Sequence, residues 1–163
     1  MSATSSITAT NGVTLAVHRY TEIDPHRPTI LAIHGWPDNH RIWDGVASEF
    51  EKRHESHSGG RYNVVAYDVR GAGESSCAAQ RSGYAFAQLV SDIGAVIDSL
   101  GVGRAHLLAH DWGSIQAWAA VTDDSVMGKV ASLRRFRART CSTRVRFCGR
   151  RARRGPSARS PGN

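Results

Sequence analysis

Along the chain, short apolar runs alternate with polar stretches, and the hydrophobic period shifts between about two and about 3.6. Ile7-Thr8-Ala9 and Val13-Thr14-Leu15-Ala16-Val17 alternate around Asn11-Gly12, which predicts a β-hairpin. Residues 21–28 are polar with two prolines and read as a loop. Three runs are almost wholly apolar: Thr29-Ile30-Leu31-Ala32-Ile33, Asn63-Val64-Val65-Ala66-Tyr67 and the stretch from Ala105 to Ala109. Such runs predict strands buried on both faces. Between the first two, the pattern predicts a short helix over 42–50, with Trp43, Val46 and Phe50 on one side, and a polar loop over 54–61. Phe86, Leu89, Val90, Ile93, Ile97 and Leu100 recur at helical spacing. They predict an amphipathic helix over 84–100, capped by Ser82 and stopped by Gly101 and Gly103. A further helix is expected over 113–121, and a fourth parallel strand begins at 129–133. Strands alternating with helices behind a hairpin predict an α/β fold with a parallel centre.

The junction at Ala109-His110-Asp111-Trp112-Gly113-Ser114 carries the sharpest chemical signal. A buried strand runs straight into a helix there, and small residues flank one polar residue. A sharp strand-to-helix turn needs small neighbours and forces the residue at its tip outward, beside the N–H groups that open the helix. Asp111 stands at that tip. A carboxylate so placed can attack a carbon electrophile and form an ester; the same residue can also simply cap the helix. His34-Gly35-Trp36-Pro37 ends the first buried strand, on the side of an α/β sheet where ligands bind. The Trp36 and Trp112 N–H groups could form an oxyanion-type pair, or His34-Gly35 could be an ordinary strand-ending turn. Asp68-x-Arg70-Gly71-x-Gly73-x-Ser75 also follows a strand, but Ser76 stands where a third glycine would complete a dinucleotide-binding loop. A tight turn held by Arg70 is the expected structure.

Charge divides the chain in two. Residues 1–128 hold 9 Lys and Arg against 14 Asp and Glu, a net of −5, whereas residues 129–163 hold 12 basic residues and no acid. The overall +7 therefore describes the end of the chain. The odd, sparse set Cys77, Cys141 and Cys148 fits a reducing compartment. The N-terminus lacks the order of a signal peptide, and no apolar run is long enough to span a bilayer. A cytoplasmic protein is expected.

The three motifs, in this order, resemble the α/β-hydrolase superfamily, from about Gly12 to about Leu133. Asp followed by Trp at the elbow resembles the epoxide hydrolase and haloalkane dehalogenase branch, and Trp36 after His34-Gly35 favours the epoxide hydrolase side. The His110-to-Ser114 run also resembles the hydrolase domain of bacterial fusions with a short-chain dehydrogenase. The resemblance implies that Asp111 is the nucleophile and that the Trp36 and Trp112 N–H groups form the oxyanion hole. It further implies that His34, Gly35, Pro37 and His110 line the substrate pocket. No cofactor and no metal are implied; the partner is a small molecule, an epoxide or related alkyl electrophile.

The family's acid and histidine follow the nucleophile in the chain. Here all eight histidines, the last being His110, precede Asp111, and only Asp123 and Asp124 follow it as acids. No Tyr follows Tyr84 to serve as a lid proton donor. The expectation is a partial α/β-hydrolase domain over 1–133, the N-terminal portion of the fold, truncated before the lid and final strands and inactive alone. Residues 134–163 hold 11 Arg and are expected to be a disordered tail, read in a shifted frame. Nucleic-acid binding by that tail is the alternative of another class.

Overall fold

The computed structural model describes residues 3–55 and 61–136. Its strands are β1 (Ala3–Thr8), β2 (Thr14–Arg19), β3 (Thr29–Ile33), β4 (Asn63–Tyr67), β5 (Ala105–His110) and β6 (Val130–Phe136). Its helices are α1 (Asp44–Glu55), α2 (Phe86–Ser99) and α3 (Trp112–Val121). The strands form one sheet in the order β1-β2-β4-β3-β5-β6. β1, β2 and β4 pair antiparallel; β4, β3, β5 and β6 pair parallel. The α/β fold with a hairpin leading into a mostly parallel sheet is the architecture expected from the sequence.

Alternation along the strands divides the sheet's two faces. Leu15, Val17, Leu31, Ile33, Val65, Tyr67, Leu107 and Ala109 point to one face, where Val90, Ile93, Val96 and Ile97 of α2 and Ala117 and Ala120 of α3 close the main core. Full burial of each large aliphatic side chain contributes about 1.5–3 kcal/mol. On the opposite face Ala32 and Ala66 pack with Trp43 in a smaller cluster. The result is a sheet with α2 and α3 on one side and α1 on the other.

Several local expectations need correction. Trp43 lies in a 3-10 turn (His40–Trp43) before α1, so the helical face predicted for Trp43, Val46 and Phe50 does not form. Trp43 and Ala47 are buried, whereas Val46 is exposed. The α1 helix continues to Glu55, past the expected start of the polar loop; residues 56–60 lie outside the described residues. Ser82 does not cap α2. It sits in a separate 3-10 turn (Arg81–Tyr84), and α2 begins after Ala85 without a side-chain cap. Asn11 and Gly12 both take positive φ, 60° and 69°, but within a longer connection than a two-residue turn. The pairing extends beyond the predicted runs, from Thr8↔Thr14 to Ala3↔Arg19. β6 runs past Leu133 through Arg134, Arg135 and Phe136. The rest of the arginine-rich segment, with Cys141 and Cys148, lies outside the described residues. Among the described residues no helix is long and apolar enough to cross a membrane.

Candidate active site

β3 and β5 run side by side and parallel, with Ile33 opposite Ala109, so the segments that leave their carboxyl ends meet. From β5 the chain turns through Asp111 into α3. Asp111 has φ 50° and ψ −124°, a conformation that costs a non-glycine residue about 1–3 kcal/mol and persists only when its surroundings enforce it. Phe136 at the end of β6 supplies part of that enforcement. Its carbonyl accepts from the Asp111 N–H at 3.2 Å and from Ser114 Oγ at 3.2 Å. The Ser114 N–H closes the turn on the Asp111 carbonyl at 2.9 Å.

Glycine allows the two segments to touch. A Cβ on Gly113 would stand 2.5 Å from the carbonyl oxygens of both Ile33 and His34, so only glycine lets α3 start against the end of β3. A Cβ on Gly35 would stand 2.5 Å from Asp111 Cβ, 2.7 Å from its Oδ2 and 2.9 Å from Trp112 N. Gly35 therefore lies directly on the Asp111 carboxylate and the first N–H of α3. That N–H has no carbonyl partner within its own helix. Trp36 and Trp112 are both exposed, and Pro37, joined to Trp36 by a cis peptide bond, is exposed beside them.

The two histidines assigned to the pocket are placed differently. His34 is buried, and its ring lies between backbone groups. The Val69 N–H donates to Nε2 at 2.9 Å, and Nδ1 lies 2.7 Å from the Gly35 carbonyl. This network assigns the proton to Nδ1. Burial pushes the His34 pKa below its ordinary value, with the Gly35 carbonyl and the nearby Asp68 and Asp38 pulling weakly the other way. His110 is about a third exposed and its Nδ1 lies 3.8 Å from Asp38 Oδ2. That distance is too long for a hydrogen bond, and the buried Nδ1 has no hydrogen-bond partner among the described residues.

Behind the site lies a polar knot that the hydrophobic pattern does not reveal. The carboxylate of Asp68, just after β4, is fully buried. Its Oδ1 accepts from the His40 N–H at 2.8 Å and from His40 Nδ1 at 3.0 Å. Its Oδ2 accepts from the Glu74 N–H at 2.8 Å and from His18 Nε2 at 3.1 Å. Burial alone pushes the Asp68 carboxyl up, but the hydrogen bonds from Glu74 and His40 together outweigh it and hold it below the usual range. Gly73 is required because a Cβ there would overlap this carboxylate. Two residues after Asp68, Arg70 grips Asp92 of α2 through Nε and Nη2 at 2.6 and 2.5 Å, both side chains buried. The turn held by Arg70 is thus present, with Asp92 as its partner.

Among the described residues, His18, His40 and Asp68 form a group whose donor atoms lie within 4.8 Å of one another, as a metal ion would need. Their arrangement suits hydrogen bonding better. Four donors already fill the carboxylate's lone pairs. The two imidazoles stack with centroids 3.4 Å apart and planes 16° from parallel, so their nitrogens point side by side rather than at one centre.

Sequence offered signals for these partners. His18 interrupts an apolar strand, and Asp92 lies on the apolar face of α2 between Leu89 and Val96. A charged or polar group in such a place needs a buried partner.

Comparison with known proteins bears on the same residues. Residues 28–133 match the family model described as alpha/beta hydrolase fold. The chain is 39% identical over 123 residues to "Probable oxidoreductase EphD" of Mycobacterium bovis, covering 75% of this chain and 19% of that protein. It is 37% identical over 92 residues to "Epoxide hydrolase 4" of Mus musculus, covering 56% of this chain and 23% of that one. The crystal structure of an epoxide hydrolase from Vigna radiata superposes with a TM-score of 0.65 at 32% identity, over 81% of this chain and 38% of that chain. The chain therefore spans less than a quarter of the length of these two curated relatives.

Proposed function

The chain belongs to the alpha/beta hydrolase fold family, in its epoxide hydrolase branch, and we propose that Asp111 is the nucleophile of an epoxide-opening reaction. One Asp111 oxygen attacks an epoxide carbon, the carbon–oxygen bond of the ring breaks, and an alkyl ester forms as the ring oxygen takes a proton from water. The observation that carries this reading is the strained turn at Asp111, held with its carboxylate against Gly35 and Trp112 N. Strain of this kind marks a residue aimed for a purpose other than helix capping, and the Asp111 side chain makes no cap hydrogen bond to α3.

The Trp36 and Trp112 N–H groups are assigned to the negative oxygen that develops when water attacks the ester. That second step needs a base to activate water, and such a base typically contributes 10²–10⁴-fold in rate. With no histidine after Asp111, His34 committed to backbone groups and His110 Nδ1 buried and facing Asp38, the reaction on these 163 residues is expected to stop at the ester.

An oxidoreductase reading, which the Mycobacterium bovis relative's name invites, finds no support in these residues. The glycine-rich turn after β4 closes around the Asp68 carboxylate instead of opening a phosphate cradle.

The test is intact-mass spectrometry of the protein after exposure to a terminal aryl epoxide. A mass increase of one epoxide per chain that disappears in Asp111→Asn supports the reading. No increase, or the same increase in the variant, overturns it.

A further inference from the structure

The segment from His34 to His40 carries Gly35, with Trp36 next in the chain, to Asp111, and both its ends are fastened to the turn after β4. At the first end the Val69 N–H holds His34 Nε2, and His34 Nδ1 in turn holds the Gly35 carbonyl. At the other end the His40 N–H and Nδ1 both hold Asp68 Oδ1. Inside the segment, the Asp38 N–H bonds the Gly35 carbonyl at 3.2 Å. A short stretch fixed at both ends and closed on itself has little room to move. The position of Gly35 against Asp111, and of Trp36 that follows it, is therefore set from the far side of β3, by Asp68 and Val69.

We infer that Asp68 is a positioning residue: through His40, and beside the Val69–His34 bond, it sets the Gly35–Trp36 turn against Asp111. The consequence for ester formation rests on the proposed role of Asp111; the placement of the turn does not. The same carboxylate also holds His18 of the hairpin through its other oxygen. His18 and His40 are stacked rings that each give one N–H to Asp68, but only His40 belongs to the segment that reaches the site. This provides a matched control within the molecule.

Replacing Asp68 itself would leave several buried donors without a partner and could unfold the chain. The test therefore compares His40→Phe with His18→Phe. Each keeps a ring in the stack and removes one N–H from the same carboxylate. Two readouts are taken on the full chain: hydrogen–deuterium exchange of the peptide covering residues 35–38, and the rate of Asp111 adduct formation with a terminal aryl epoxide. In His40→Phe, exchange at 35–38 rises, and adduct formation slows by about tenfold or more, the scale expected when a reacting group is displaced by a fraction of an ångström to one ångström. In His18→Phe, exchange rises in the hairpin, while exchange at 35–38 and the adduct rate stay at the unsubstituted level. Equal effects of the two variants at 35–38, or none from His40→Phe, overturn the inference. If the unsubstituted chain forms no adduct while exchange at 35–38 still responds to His40→Phe alone, the positioning stands and the assignment of Asp111 as nucleophile fails.

Discussion

The two flanks of the sheet are held by different kinds of force. On the β1-β2-β4 flank, buried polar groups do the fastening: Asp68 with His18, His40 and Glu74, and Arg70 with Asp92. On the β5-β6 flank the polar side-chain contacts lie nearer the surface, with His106 Nδ1 2.8 Å from Ser132 Oγ and Lys129 Nζ 2.6 Å from Asp98 Oδ2, and backbone pairing and apolar packing supply the rest. There Trp112, Ile115, Trp118, Met127 and Phe136 are exposed, and the Arg135 guanidinium lies 4.8 Å from the centre of the Trp118 ring. Polar networks are demanding, because each member must be satisfied, but a satisfied one fixes geometry tightly. Apolar contact is tolerant and fixes it loosely. Asp111 sits on the boundary. Gly35 meets it from the clasped flank and Phe136 from the open one, so the placement of the carboxylate depends on both.

If this contrast is correct, the largest loss comes from cutting a clasp. Arg70→Met leaves Asp92 buried and uncompensated, which costs about 3–5 kcal/mol. Adding Asp92→Leu to it should recover much of that loss, a non-additivity that denaturant titration of the single and double variants will measure. Simple additivity would mean that the pair does not act as a unit. Gly113→Ala tests the seam between the flanks. Its methyl group would press on two backbone carbonyls that cannot rotate away, so a loss at or above the upper end of about 1–3 kcal/mol is expected in the same titration.

Acid should act on the clasped flank first. His34 is kept neutral by burial, with its pKa below the ordinary value, whereas in the unfolded chain it titrates near about 6.5. Between those two pKa values the unfolded state binds the extra proton, so His34 favours the fold above the unfolded value and that contribution is lost as pH falls through the window. Asp68, held below its ordinary value, adds a second loss at lower pH, as the solution passes from the carboxylate's unfolded pKa down through its folded one. The urea midpoint measured from pH 8 to pH 5 should fall, and fall less steeply in His34→Gln. The smallest effect is expected on the open flank: Ile115→Ser should change stability by less than about 0.5 kcal/mol while improving solubility. A larger loss would show Ile115 to be packed more like a core residue.

The parallel centre was legible in the sequence because β3 and β4 each hold four apolar residues in a row after one polar residue, and α2 because its core positions recur at helical spacing. The Asp111 turn was legible because small residues surround a single polar one. What was not legible depends on contacts far apart in the chain. Asp68 and His18 are 50 residues apart, and Arg70 and Asp92 are 22 apart. Periodicity cannot match such partners, although an acid on an apolar helix face announces that one exists. The helical face expected for Trp43 does not form because a 3-10 turn and the α-helix after it share one apolar pattern but not one period. Ser82 does not cap α2 because the chain makes a separate 3-10 turn before that helix starts.

The most direct test of the account follows bound ester and free diol together, in one time course, after the chain is mixed with an excess of a terminal aryl epoxide. Ester on Asp111 is expected to rise to no more than one per chain while diol stays at the level of the uncatalysed reaction. Diol accumulating steadily through many equivalents, or no ester at all, would contradict it.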